Sequence, residues 1–140
     1  LGCSIGDVTL ACDRIDATVY RLDPDRRTDG STQFSVKFCA MIEGQDKAIP
    51  LDNAALLCDL GDVPRSGQGS APLISLAISR NQGKTFGAAM ERPLAVTGDF
   101  TSVPTWNALG EVPRFLGAIL LFTVADPVGR IFKRVFINAQ

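Results

Sequence analysis

The side chains that most often perform chemistry are sparse in this sequence. Histidine is absent from the 140 residues, which excludes Ser-His and Cys-His nucleophilic pairs, imidazole bases and His-ligated zinc. The four cysteines, Cys3, Cys12, Cys39 and Cys58, are 9, 27 and 19 residues apart, without the Cys-x-x-Cys spacing of a zinc knuckle. Five acids lack calcium-loop spacing: Asp13, Asp16, Asp23, Asp25 and Asp29. We therefore expect no enzyme, no metal site and no cofactor.

The cysteines suggest a structural role instead. Cys39 and Cys58 lie within apolar strand patterns, which predicts buried, reduced thiols that act as small hydrophobic side chains. A hairpin at the N-terminus would bring Cys3 and Cys12 close enough for a disulfide, and the sequence leaves the redox state of this pair open.

Residues 79–86, Ser-Arg-Asn-Gln-Gly-Lys-Thr-Phe, carry the most informative polar spacing. A short polar side chain can bond backbone amides across a turn, a glycine can supply a left-handed φ, and an aromatic ring can anchor the loop to the sheet below. The pattern resembles the Asp box, Ser-x-Asp-x-Gly-x-Thr-Trp, with Asn and Phe replacing Asp and Trp. An ordinary Asn-Gly hairpin is the alternative. Both predict a structural turn built from Ser79, Asn81, Gly83, Thr85 and Phe86.

Period-two alternation of apolar residues dominates the rest of the chain, and helical periodicity is scarce. It predicts strands over 34–42, 56–60, 74–78 and 131–137, with weaker strands at 8–10 and 17–20. The continuous apolar segment 116–125 predicts a further, buried strand. The strand at 74–78 leads directly into the turn, which makes the turn a hairpin tip. The fold expected is all-β: an antiparallel β-sandwich or a partly closed barrel of roughly seven to nine strands.

Length and composition fit a single β domain over residues 1–140, with a flexible loop near 64–70 and an N-terminal arm over 1–15 as an option. The net charge of −1 provides no global basic field for nucleic acid, so any DNA contact is expected to be local and weak. The longest apolar run, 115–125, is too short to cross a membrane as a helix.

Four segments, in order, resemble the C-terminal region of the packaged-DNA stabilisation proteins, the tail hub or nozzle subunits of short-tailed bacteriophages. The first is the Asp-box-like turn. In the second, Leu94, Gly98, Asp99 and Phe100 resemble a Leu-Gly-x-x-Gly-(Asp/Glu)-Tyr segment. In the third, Trp106, Leu109 and Gly110 resemble a Trp-x-x-Leu-Gly segment. In the fourth, Asp126-Pro127-Val128 resembles a final (Ser/Thr)-Asp-Pro strand pair. Ala95 and Phe100 depart from the second segment. Family members are much longer, so the chain is either a fragment or a minimal version.

The resemblance implies a structural virion protein, not an enzyme. Such proteins are assembled in the host cytoplasm and form a homo-oligomeric ring in the viral tail, commonly six-fold, below the portal and adaptor. The ring contacts other tail proteins, helps to close the DNA exit channel and retains the packaged genome. The alternatives are a carbohydrate-binding or sialidase-like β-domain of a tail protein, because Asp boxes occur there too, and a free-standing cytoplasmic binding module.

Basic residues near the C-terminus could serve this role. Arg130, Lys133 and Arg134 follow the last acid, Asp126, and are candidates for the subunit interface or the DNA channel. Arg26 and Arg27 lie among acids and are expected to form a solvated, self-neutralising loop. The strands over 116–125 and 131–137 are largely apolar on both faces, which predicts that a neighbouring subunit covers them.

Overall fold

The computed structural model describes residues 2–5, 8–12, 15, 18–22, 28–29, 32–33, 35–60, 70–94, 101–126, 128 and 130–138. Among these residues there are fifteen strands and no helix. The strands are β1 Gly2–Ile5, β2 Val8–Cys12, β3 Val19–Leu22, β4 Thr28–Asp29, β5 Thr32–Gln33, β6 Val36–Ile42, β7 Ile49–Pro50, β8 Asn53–Leu60, β9 Leu73–Ser79, β10 Met90–Pro93, β11 Thr101–Ser102, β12 Thr105–Asn107, β13 Glu111–Val112, β14 Ala118–Val124 and β15 Arg130–Ile137.

Two antiparallel sheets face each other. Sheet 1 has the strand order β10-β9-β14-β6. Sheet 2 is built on β8, which pairs with β15 along one edge and with the short strands β11 and β12 along the other. The all-β, sandwich-like arrangement confirms the predicted fold class, and the described residues form more strands than the seven to nine predicted. The short strands β7 and β13 pair with each other.

The core lies between the two sheets, and strict alternation places it there. In β14, Ala118, Leu120, Phe122 and Val124 are buried, while the residues between them are half-buried. The same period recurs in β9 and β8, with Ile74, Leu76, Ile78, Ala54, Leu56 and Cys58 buried, although Ala55 and Ser79 are buried as well. Because successive side chains of a strand point to opposite faces, this pattern gives each strand one core face. Trp106 of β12 completes the cluster.

The N-terminal strands form a separate antiparallel sheet in the order β1-β2-β3, and β4 pairs with β5. The weaker strands predicted at 8–10 and 17–20 are present, the second beginning at Val19. The hairpin register places Cys3 opposite Leu10 and Cys12 opposite Val19. The two cysteines are therefore not directly opposite each other in this hairpin.

Two expectations are corrected. Cys39 is exposed, not buried, because it lies on the face of β6 opposite to the core residues Phe38 and Ala40. The strand predicted from Leu116 begins at Ala118, since Gly117 adopts φ 71° and turns the chain. That a neighbouring subunit covers β15 stays a prediction: Ile131 is 65% exposed in the single chain, and the alternation of the strand is broken by a bulge between Phe132 and Arg134.

Several predicted features lie outside the described residues. They are the loop 64–70 except Ser70, the Arg26-Arg27 pair, the acids Asp13, Asp16, Asp23 and Asp25, and the Gly98-Asp99-Phe100 part of the second resembling segment.

Candidate functional site

The turn between β9 and β10 has the hydrogen bonds of an Asp-box-like loop. The Asn81 Oδ1 accepts bonds from the Thr85 backbone N–H and the Ser79 hydroxyl, both at 2.9 Å. Its Nδ2 donates to the Thr85 Oγ1 at 2.7 Å. The buried Ser79 Oγ accepts the Gly83 N–H at 2.9 Å. The side chains at positions 79, 81 and 85 thus replace the backbone pairing that a tight hairpin would otherwise provide.

The backbone of this turn confirms the predicted role of glycine. Gly83 has φ 85° and Gln82 has φ 60°, so two consecutive residues are left-handed. The Gly87 N–H donates to the Ile78 carbonyl at 2.9 Å and closes the loop at its base. Strand β10 then returns along β9, with Met90 opposite Leu76. The predicted hairpin is confirmed.

Phe86 differs from the prediction. The ring was expected to anchor the loop to the sheet, but the residue is 41% exposed. The side chain of Asn81 already holds the loop from within, so the turn forms without a buried aromatic at this position.

The importance of the Asn81 acceptor can be measured directly. We expect Asn81→Ala to lower the free energy of unfolding by about 1–3 kcal/mol, because the Thr85 N–H and the Ser79 hydroxyl lose their acceptor. Asn81→Asp is the matched control: it keeps the acceptor and should unfold at nearly the parent urea concentration. Equal midpoints for alanine and aspartate would contradict this role.

Arg80 joins the turn to the Trp-x-x-Leu-Gly segment. Its guanidinium donates to the carbonyl of Leu109 and, at 2.8 Å, to the carbonyl of Glu111. The segment that receives it is itself shaped by left-handed residues, Ala108 at φ 58° and Gly110 at φ 88°. The Gly110 carbonyl in turn accepts the Leu51 N–H at 2.7 Å. No local pattern indicates a role for Arg80, since its partners lie 29 and 31 residues away.

Trp106 and Asp126 extend the same network. The Trp106 ring is fully buried, and its Nε1–H donates to the Met90 carbonyl at 2.7 Å. The Asp126 Oδ2 accepts the Leu73 N–H, at the start of β9, at 2.7 Å. Leu94 is buried beside them, and its N–H donates to the Pro72 carbonyl. The described parts of all four resembling segments therefore meet in and around the β9–β10 hairpin.

The predicted basic site is not brought together as a free cluster. Arg130 donates to the carbonyls of Asp126 and Val128 at 2.9 and 2.7 Å. Lys133, at the bulge, forms an ion pair with Asp59 at 2.5 Å. Arg134 is exposed, and its guanidinium lies 5.8 Å from the centre of the Phe136 ring. Arg130 and Lys133 thus have partners within the chain, and Lys133 and Arg134 are both exposed to solvent.

The position of the single tryptophan bears on the carbohydrate-binding alternative. Trp106, the sole tryptophan, is buried and cannot stack on a sugar ring. In the described residues no group of three His, Cys, Asp or Glu side chains could hold a metal ion. Within the same part of the chain, no helix is long and apolar enough to cross a membrane.

Cys58 is the buried thiol that the sequence predicted. Burial, with a smaller contribution from the charge of Asp59, raises the pKa of Cys58 to about 11, while its hydrogen bond to the Ser102 carbonyl acts in the opposite direction. The thiol is therefore neutral at physiological pH, as a packing residue should be.

We expect the cysteines to react with iodoacetamide at very different rates at pH 8. Cys39 is exposed and should be labelled in the native protein. Cys58 should be protected until the chain unfolds, because its raised pKa lowers the thiolate fraction by about a hundredfold and burial blocks access. Peptide mapping by mass spectrometry with and without urea provides the readout. Native labelling of Cys58 at the rate of Cys39 would contradict the placement of β8.

A scan against protein-family models finds no matching family, and a search of the curated proteins finds no similar protein.

Proposed function

We propose that this chain is a structural subunit of a virion, part of the tail hub or nozzle of a short-tailed bacteriophage. There it helps to close the DNA exit channel below the portal and adaptor and to retain the packaged genome. The proposal starts from the ordered resemblance of four segments to the packaged-DNA stabilisation proteins. It is supported by one structural observation, the hydrogen-bond network around the β9–β10 hairpin.

That network matters because of where the resembling residues lie. Residues that match a family pattern by chance have no physical reason to contact one another. Here Ser79 and Asn81 build the turn, Trp106 bonds to β10, and Asp126 bonds to the start of β9. Arg80, within the turn, bonds to the Trp-x-x-Leu-Gly segment. The matched positions thus perform connected structural tasks, as expected if they were inherited together.

The mechanism proposed is assembly and occlusion. With a net charge of −1, the domain would hold DNA by blocking its path and not by tight binding, which requires many phosphate contacts. A closed ring built by rotation uses head-to-tail contacts between neighbours. Of the two exposed cations, Lys133 already pairs with Asp59 within the chain, and Arg134 is then the residue that meets an acid of the next subunit or faces the channel.

The decisive experiment is cryo-electron microscopy of particles that contain the chain. We expect the two-sheet sandwich to fit density on the tail axis, repeated around it, below the portal and adaptor. Particles assembled without the chain should package DNA and then lose it. The proposal fails if the chain is absent from mature particles or occupies only positions away from the tail axis.

A further inference from the structure

The two long edge strands of the sandwich differ in how they are protected against pairing with another chain. Strand β15 is interrupted by a bulge and carries Lys133 and Arg134, and both features discourage strand addition. Strand β6 pairs with β14 in an unbroken register from Val36 to Ile42, and Lys37 is its single charged residue. Among the described strands, β6 has no partner other than β14.

The core is also open along β6. Its inward residues Phe38, Ala40 and Ile42 pack on the core but are only half-buried, whereas their partners on β14 are almost completely buried. On the outer face, Cys39 is exposed and Met41 is 75% exposed. One further strand beside β6 would close the open edge of the core and cover the flank of the outer residues, and burial of apolar surface of this kind favours association.

We propose that β6 pairs with β6 of a second copy of this chain, antiparallel and related by a two-fold axis at Cys39. The pairing would merge the two four-stranded sheets into one sheet of eight strands. Cys39 is the midpoint of Val36–Ile42, so this register engages every residue of the strand. The half-buried Phe38 then lies opposite the partner's Ala40, and Val36 lies opposite the partner's Ile42.

Other registers are less suited to the sequence of β6. Paired residues must point to the same face of a sheet, so a shift that places an inward residue opposite an outward one is excluded. A two-fold axis at Lys37 would place two lysines opposite each other, and like charges at such positions repel. The axis at Cys39 places each lysine beside the exposed Met41 of the partner subunit, along which its aliphatic stem can pack.

This inference does not rest on the proposed function. A two-fold contact closes on itself and cannot by itself build a rotational ring. The β6 pair would therefore be a form of the unassembled protein, and a neighbour that adds a strand to β6 during assembly would have to displace it. The pairing can be tested on the purified chain without any particle.

Cysteine cross-linking tests both the contact and its register. Directly opposite residues of an antiparallel pair have Cα atoms about 4.5–5.5 Å apart, which suits a disulfide. Mild oxidation should therefore yield a Cys39–Cys39 bridge, identified by peptide mapping, that Cys39→Ser removes. In the Cys39→Ser background, Lys37→Cys and Met41→Cys proteins should not bridge to themselves, because like positions are about 13 Å apart. A mixture of the two should bridge efficiently.

Association strength gives a second measurement. Met41→Lys would oppose the partner's Lys37 twice in the dimer, and we expect about tenfold weaker association by sedimentation. Ile131→Lys also replaces an exposed apolar residue with lysine, but on β15, and should leave the association constant unchanged. Circular dichroism should show that both lysine variants remain folded. A monomer at the highest soluble concentration, or self-bridging of the Lys37→Cys protein, overturns the proposal.

Discussion

Replacing Gly117 with alanine is expected to lower the free energy of unfolding by about 3–5 kcal/mol, among the largest effects of any single substitution in this chain. Gly117 has φ 71°, which side chains other than glycine rarely adopt. A Cβ at this position would also collide with the Ile42 carbonyl oxygen and lie 2.9 Å from the Gly44 N. Both contacts are backbone atoms at the end of the β6–β14 pair, so no side chain can move aside.

Three other glycines separate the two causes. A Cβ at Gly44 would meet the Phe115 carbonyl oxygen at 2.5 Å and the Gly117 N at 2.7 Å, without a left-handed φ, so Gly44→Ala isolates the collision. Gly83→Ala isolates the conformation, since φ is 85° and the nearest atom lies at an ordinary 3.5 Å; we expect a cost of about 1–2 kcal/mol. Gly87→Ala has neither problem and should behave like the parent protein.

Urea denaturation followed by circular dichroism measures the series. We expect the highest unfolding midpoint for Gly87→Ala, a lower one for Gly83→Ala, and the lowest for Gly44→Ala and Gly117→Ala. A midpoint for Gly117→Ala as high as that of Gly87→Ala would show that the ends of β6 and β14 do not approach as closely as the structure has them.

The features that could be predicted from the sequence are local or periodic. Alternation at two-residue spacing predicts β8 and β9 because one face of each strand must be apolar to form the core, and a continuous apolar run predicts β14. The turn was predictable because Ser79, Asn81 and Gly83 bond within a few residues of one another. In such cases the chain itself brings the interacting groups together, and residue type and spacing carry the information.

The features that were missed depend on distant parts of the chain. Asn138 accepts the Asp52 N–H at 2.8 Å and donates to the Pro50 carbonyl at 2.8 Å, across 86 and 88 residues. Arg80 likewise reaches Leu109. The exposure of Phe86 depends on whether other elements cover the loop, and the bulge in β15 is defined only by pairing with β8. No local pattern encodes these contacts, because their partners are set by the packing of the sheets.

Trp106→Ala is expected to lower the free energy of unfolding by about 3–5 kcal/mol. The ring is fully buried between the sheets and packs edge-on against Phe122, with centroids 5.6 Å apart. Its Nε1–H bonds to the Met90 carbonyl of β10, although Trp106 itself belongs to β12. The side chain thus ties sheet 1 to sheet 2, and its loss would leave both a cavity and an unpaired carbonyl.

Trp106→Phe distinguishes these two contributions. It keeps an aromatic ring against Phe122 but removes the donor to Met90. We therefore expect its free energy of unfolding to lie between those of the parent and Trp106→Ala. The missing hydrogen bond should account for about 1–2 kcal/mol of the loss. Circular dichroism in urea compares all three proteins, and the fluorescence of the single tryptophan reports independently on the parent. A blue-shifted native emission that moves to the red on unfolding is expected. If Trp106→Ala unfolds with the parent midpoint, the Trp-x-x-Leu-Gly segment does not hold the two sheets together, and the network that supports the tail-hub proposal loses its central contact.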